Sequence, residues 1–219
     1  MAGALIVQGG WAGHQPDLVA DIFRQMLESD GFDVKVADTL DVLVEEDLTR
    51  LALIVPVWTM GTITKEQLHA VSTAVEAGVG LAGCHGGMCD SFRSATHWQF
   101  MTGGQWVAHP GGSDVVYTVH ILPGDDPLTT GIGDFSVHSE QYYLHVDPAV
   151  RVLATTRFPT ADGPHAANGP VDMPVIWTKL WGRGRVYYNS LGHHADVVDA
   201  EPNRTLMRRG LLWAAGATR

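Results

Sequence analysis

Strand and helix alternate along the first 84 residues, and that alternation restricts the fold more than any other feature. Residues 4–8 read as a buried strand followed by Gly9-Gly10. Residues 16–29 carry Leu18, Val19, Ile22, Phe23, Met26 and Leu27 at helical spacing, and Asp30-Gly31 ends that helix. Residues 32–37 alternate as a strand, 45–50 read as a short helix, and 51–57 as a third strand. A helix over 64–77, capped by Thr64 and closed by Gly78, leads to a fourth strand over 79–84. Such spacing predicts βαβ units. The expected fold class is therefore α/β: three layers, with a mostly parallel central sheet and helices on both faces.

The second half is less regular. Asp114–Leu122, Val150–Arg157, Val175–Lys179 and Arg185–Ser190 read as strands, with a hairpin turn at Gly182-Arg183-Gly184. Residues 123–134 are turn-rich, Pro159–Pro174 is expected to be an exposed loop, and 202–215 to be an amphipathic helix. No repeat or boundary interrupts the chain, so one domain over 1–219 is expected. A chain of this size can bury about 70% of its unfolded surface.

Composition excludes several classes. The net charge of −10 and the lack of a basic patch, beyond Arg204, Arg208 and Arg209, argue against nucleic acid as a partner. No stretch approaches a membrane-spanning length and no basic segment precedes the first apolar run, so a cytoplasmic protein with no membrane partner is expected. Two cysteines five apart make neither a disulfide framework nor a zinc ribbon. The first strand is not followed by Gly-x-Gly-x-x-Gly, so no nucleotide cofactor is expected.

Gly80-Leu81-Ala82-Gly83-Cys84-His85-Gly86-Gly87 is the place to look for chemistry. An apolar run ends in Cys-His and two glycines, the pattern of a strand-to-helix elbow at the ligand-binding edge of an α/β sheet. Cys84 reads as the elbow residue. As a nucleophile it would need a base and an orienting acid, and His194-Ala195-Asp196 could supply them. As a structural residue it would simply pack.

The histidines number eleven, and several follow predicted strands. His14 follows the first, His85 the fourth, and His193 the last. His109 precedes Pro110. Glu140 has no Lys or Arg within several residues, which suits a general base or a metal ligand. Trp11, Trp58 and Trp106 lie near strand-end loops, where aromatic faces suit sugar rings or fill a core. His69, His120 and His165 read as solvated or structural.

Five segments together resemble the ThuA-like family of trehalose-utilisation proteins. They are Gly83-Cys84-His85-Gly86-Gly87, Gly103-Gly104-Gln105-Trp106-Val107-Ala108-His109-Pro110, Asp126-Pro127-Leu128-Thr129-Thr130-Gly131-Ile132, Ser139-Glu140-Gln141-Tyr142, and Gly184-Arg185-Val186-Tyr187-Tyr188-Asn189-Ser190-Leu191-Gly192-His193. Asp126 stands where the family usually has His, Ser139 where it has Asp, and Cys84 where it has an apolar residue. The resemblance implies a class I glutamine amidotransferase-like (flavodoxin-like) fold and favours His85, His109, Glu140 and His193 over the thiol. It further implies a sugar-catabolic enzyme acting on a keto-sugar or glycoside of the trehalose type, an isomerase, lyase or hydrolase working by His/Glu acid–base chemistry.

The site expected on these grounds has His85, Glu140, His193 and Cys84 as catalytic residues. Trp11, His14, Trp58, Gly86, Gly87 and His109 would bind a small-molecule carbohydrate. A divalent metal such as zinc would sit on His85, His109 and His193. The alternatives are a Cys84-dependent amidase or hydrolase of the glutamine amidotransferase type and a non-catalytic partner of a sugar oxidoreductase. Protein partners would then be that oxidoreductase or a second copy of the chain.

Overall fold

The computed structural model of the chain describes residues 1–217. Its first half runs β1 (Gly3–Gly10), α1 (Pro16–Ser29), β2 (Asp33–Ala37), α2 (Val42–Glu45), β3 (Leu53–Thr59), α3 (Lys65–Glu76) and β4 (Gly80–Cys84). Then come the short α4 (Gly86–Cys89), α5 (Thr96–Thr102), β5 (Gly104–Ala108), β6 (Val115–Ile121), β7 (Phe135–Ser139) and β8 (Tyr143–Val146). The chain closes with β9 (Arg151–Phe158), β10 (Val171–Trp181), β11 (Gly184–Asn189), α6 (Ala195–Asp199) and α7 (Asn203–Ala214).

Nine strands form one sheet in the order β2-β1-β3-β4-β11-β10-β9-β6-β7. From β2 to β11 the strands run parallel, as the βαβ spacing predicts. The remaining pairs are antiparallel and extend the sheet on one side. β5 and β8 make a separate two-stranded sheet.

The period of two explains the layers. Ala4 and Ile6 of β1 face a core shared with α1 and α7, through Val19, Phe23, Leu27, Leu206 and Leu211. Leu5 and Val7, one residue out of phase, face a second core with α2, α3 and α5, through Leu43, Val71, Val75, Trp98 and Met101. Both faces of the inner parallel strands are thus covered, which is why β1, β3 and β4 read as continuous apolar runs. In β11 the same alternation buries Tyr187 on one side and Tyr188 on the other. Each hydroxyl finds an acceptor, the Leu206 carbonyl at 3.0 Å and the His85 carbonyl at 3.1 Å.

Local sequence sets the helix starts. Thr64 and Gln67 close a capping box at the head of α3: Thr64 Oγ1 accepts from the Gln67 amide, and Gln67 Oε1 from the Thr64 amide. The short helix expected at 45–50 is displaced: α2 ends at Glu45, and a single 3₁₀ turn over 48–50 follows, where Asp47 accepts from the Thr49 amide. The loop expected to run to Pro174 ends earlier, because residues 171–174 pair with β9 in β10. No helix among the described residues is long and apolar enough to cross a membrane.

Candidate active site

Adjacent parallel strands deliver the polar residues to one edge. β1 ends ahead of His14, β3 ends at Thr59, β4 ahead of His85, and β11 ahead of His193. Those four strands are neighbours in the sheet, so the residues beyond their C-terminal ends meet in one crevice. Glu140 follows β7, on the segment that crosses from the large sheet to the small one, where the Tyr117 hydroxyl donates to its carbonyl at 2.9 Å.

The elbow is present, but its turn residue is His85 rather than Cys84. His85 has φ 47° and ψ −137°, a combination outside the regions open to residues with a Cβ. Its amide donates to the Asn189 carbonyl at 2.7 Å, and its own carbonyl accepts from Tyr188. Gly86 is needed for close approach, since a Cβ there would lie 2.6 Å from a His14 ring carbon. A Cβ on Gly87 would lie 3.0 Å from Val57 Cα. Both glycines are buried and closely packed.

Cys84 is the last residue of β4 and belongs to the core shared with α1 and α7. Burial pushes its thiol up to about 12, so it stays protonated at neutral pH. Among the described residues no histidine hydrogen-bonds it. The His194 ring lies 4.0 Å from the His193 ring, and Asp196 accepts from the Val197 amide. The proposed thiol triad is therefore not assembled.

Four groups are brought together instead. Ligand atoms of His14, His85, Glu140 and His193 all lie within 4.8 Å of one another, and all four residues are buried. His14 Nδ1 is 2.8 Å from Thr59 Oγ1, which leaves Nε2 free. His85 Nδ1 is 2.8 Å from the Ser190 carbonyl. A carbonyl only accepts, so Nδ1 carries the proton and Nε2 a lone pair. That Nε2 lies 3.2 Å from Glu140 Oε2. His193 Nδ1 is 3.3 Å from the same oxygen, off the line of a hydrogen bond.

Electrostatics define the protonation state. Burial, followed by the charges of His85 and His193, lowers His14 to about 3. Burial likewise lowers His85, against the pull of Glu140. Burial alone would raise the Glu140 carboxyl, but the His193 and His85 rings outweigh it and hold it below the usual range. Three imidazoles and one carboxylate thus crowd a single buried point. These residues could hold a shared cation, and a set of three imidazoles with one carboxylate suits zinc and other first-row divalent ions. The contacts from Thr59 and the Ser190 carbonyl are of the kind that fixes ligand tautomers.

His109 stands outside this group, which corrects the expected ligand set. Its Nδ1 is 3.4 Å from the other carboxylate oxygen, Glu140 Oε1, and its side chain is 35% exposed. His14 takes the place in the cluster that the sequence reading gave to His109. Trp11 stands at the rim, its ring 4.7 Å from His14. Trp58 does not line the cleft; its ring packs against Gly9 and Gly61.

Three wall residues had not been singled out. Tyr142 stacks on His85 with ring centroids 3.9 Å apart, and Asp90 holds Arg93 through two hydrogen bonds while Arg93 lies over Trp106. Tyr142 was legible only as a member of the Ser-Glu-Gln-Tyr segment. Together with Trp11, His14, Trp106, His109 and Glu140 they line a cleft of about 140 Å³.

Fold and site define an α/β protein whose parallel strands end in a buried histidine–carboxylate group beside a strained elbow. The chain belongs to the ThuA family, described as trehalose utilisation, which matches residues 3–214. No curated protein matches it in sequence. Among solved structures, a ThuA-like protein from Bacteroides uniformis superposes with a TM-score of 0.77 at 18% identity, over 97% of this chain and 91% of that one. A ThuA-like protein from Parabacteroides merdae gives 0.76 at 17% identity, over 98% and 90%. A β-galactosidase from Bacillus circulans shares the fold over 30% of its length and 98% of this chain, with a TM-score of 0.61 and 14% identity.

Proposed function

We propose that the chain is an acid–base enzyme of sugar catabolism acting on a keto-sugar or keto-glycoside, with a divalent metal on His14, His85, Glu140 and His193. The observation that carries this reading is the convergence of three buried imidazoles and a buried carboxylate beneath an open cleft. A keto-sugar has an acidic C–H beside its carbonyl. Removing that proton requires a base and a group that holds the enediolate oxygen. A bound divalent ion supplies Lewis acidity for the second requirement.

The chain's own residues meet the first. Glu140 divides its two oxygens, Oε2 toward His85 and His193, Oε1 toward His109. His109 lies outside the converging ligand group, is partly exposed, and takes or returns the proton at the cleft. Glu140 Oε1 faces its Nδ1 at 3.4 Å. Trp11 and Trp106 offer apolar faces to a sugar ring. The family's link to trehalose utilisation supports a carbohydrate substrate.

The test is deuterium exchange, followed by NMR, of methyl 3-keto-glucoside in D₂O. The protein should exchange the C–H beside the carbonyl. His109→Ala should slow exchange by about 10²-fold, the low end for loss of a general acid–base. Exchange no faster than in buffer, or unaltered in His109→Ala and Glu140→Gln, overturns the proposal.

A further inference from the structure

A second cavity of about 590 Å³ opens beside the cleft, and Trp106 and His109 line both. The inner cleft, at about 140 Å³, is smaller than the roughly 300–1,000 Å³ usual for small-molecule sites, whereas the outer cavity falls inside that range. A ligand seated on the histidine–carboxylate group therefore has room to extend past His109 into the outer space.

The chemistry of the outer walls is one-sided. Trp106, Val107, Tyr143, Phe158, Pro159 and Val171 supply aromatic and aliphatic faces, and no carboxylate, Lys or Arg lines it. Its polar side chains are His109, His165, Asn168 and, through its hydroxyl, Tyr143. Two of these are already engaged in the loop: His165 Nε2 with the Ala161 carbonyl at 3.1 Å, and Asn168 Nδ2 with the His165 carbonyl at 3.4 Å. His109 faces Glu140 through Nδ1, and the Tyr143 hydroxyl is the remaining polar group of the wall. A second sugar ring would bury several hydroxyls against walls that offer few groups to pair them, chiefly the Tyr143 hydroxyl and the Asn168 side-chain oxygen, which is unfavourable. A flat apolar group meets no such penalty.

We infer that the outer cavity is a subsite for an aromatic aglycone, so that the substrate is a glycoside carrying an aryl group rather than a disaccharide. This rests on the sugar reading of the inner cleft. It separates this chain from a trehalose-type substrate by the walls of one cavity.

Calorimetric titration with phenyl β-D-glucopyranoside, methyl β-D-glucopyranoside and 2-naphthol tests it. The phenyl glucoside should bind at least tenfold more tightly than the methyl glucoside, and 2-naphthol should bind alone. Val171→Trp and Asn168→Trp, each filling the cavity from a different element and checked for folding by circular dichroism, should reduce the preference to within twofold. Equal binding of the two glucosides overturns the subsite and leaves the sugar reading standing. A folded variant that keeps the full preference in both substitutions also overturns it. Binding of 2-naphthol that both substitutions abolish, with neither glucoside bound, upholds an aromatic site and overturns the sugar reading.

Discussion

Replacing His85 by glycine should leave a more stable protein than replacing it by alanine. At most exposed or regular positions the order is the reverse. Both substitutions remove the same interactions: the stack on Tyr142, the bond to the Ser190 carbonyl and the contact with Glu140. The comparison between them therefore isolates the backbone. At φ 47° and ψ −137° a Cβ is strained and glycine is not. Relief of such strain is worth about 1–3 kcal/mol, and the greater freedom of an unfolded glycine offsets about 0.4–1 kcal/mol of it. Taking the centres, glycine should be ahead by about 1.3 kcal/mol, or roughly 3–5 °C in Tm for a domain of this size. Urea unfolding and thermal melts should be run with a chelator present, so that metal linkage does not enter. An alanine variant as stable as the glycine variant, or more so, refutes the strained elbow.

Four further outcomes follow from particular contacts. Gly210→Ala should destabilise by about 1–3 kcal/mol in urea titration, because the new Cβ would lie 2.2 Å from the Tyr187 ring. Tyr187→Phe should cost about 0.5–1.5 kcal/mol by the same assay through loss of the bond to the Leu206 carbonyl. Neither thiol should react with a disulfide reagent in the native protein at pH 8, and both should react in denaturant, since burial raises Cys84 to about 12 and Cys89 well above its usual value. Rapid native labelling of Cys84 would revive the thiol mechanism. In metal-free protein His14 is neutral when folded down to about pH 3 but protonates near 6.5 when unfolded, so its contribution to stability is present above that value and is lost as pH falls through this window. His14→Phe should flatten the decline between pH 6.5 and 4, and an unchanged profile counts against a buried neutral His14.

The parallel half of the fold was legible because its inner strands are covered on both faces and so are written as uninterrupted apolar runs, while the edge strand β2 shows an alternating pattern. Leu53–Thr59 and Gly80–Cys84 are examples of such runs. The less visible elements have other reasons to exist. β5 begins at Gly104 and β8 spans four residues, and they are held by pairing with each other rather than by local preference. β7 alternates partly buried and exposed residues behind a turn-rich stretch, so its period is short and its boundary weak.

The site was legible where a polar residue follows a strand, as at His85 and His193, and in the unpaired Glu140. Which histidines share a point was not, because that depends on strand order. β11 inserts beside β4, and this brings His193 to His85 across 108 positions of sequence. His14 and His109 both end up near Glu140 but at different depths, a distinction carried by the fold alone.

Zinc binding to the chain and its single-site variants tests the account most directly. Competition with a chromophoric chelator should give one equivalent of zinc per chain. His14→Ala, His85→Ala, His193→Ala and Glu140→Gln should each weaken it by more than about tenfold, the least expected when a metal's immediate surroundings are altered. His109→Ala should retain it, because that ring lies outside the group of converging ligand atoms. A chain that binds no zinc or other divalent ion, or one that needs His109 and not His14, contradicts the account.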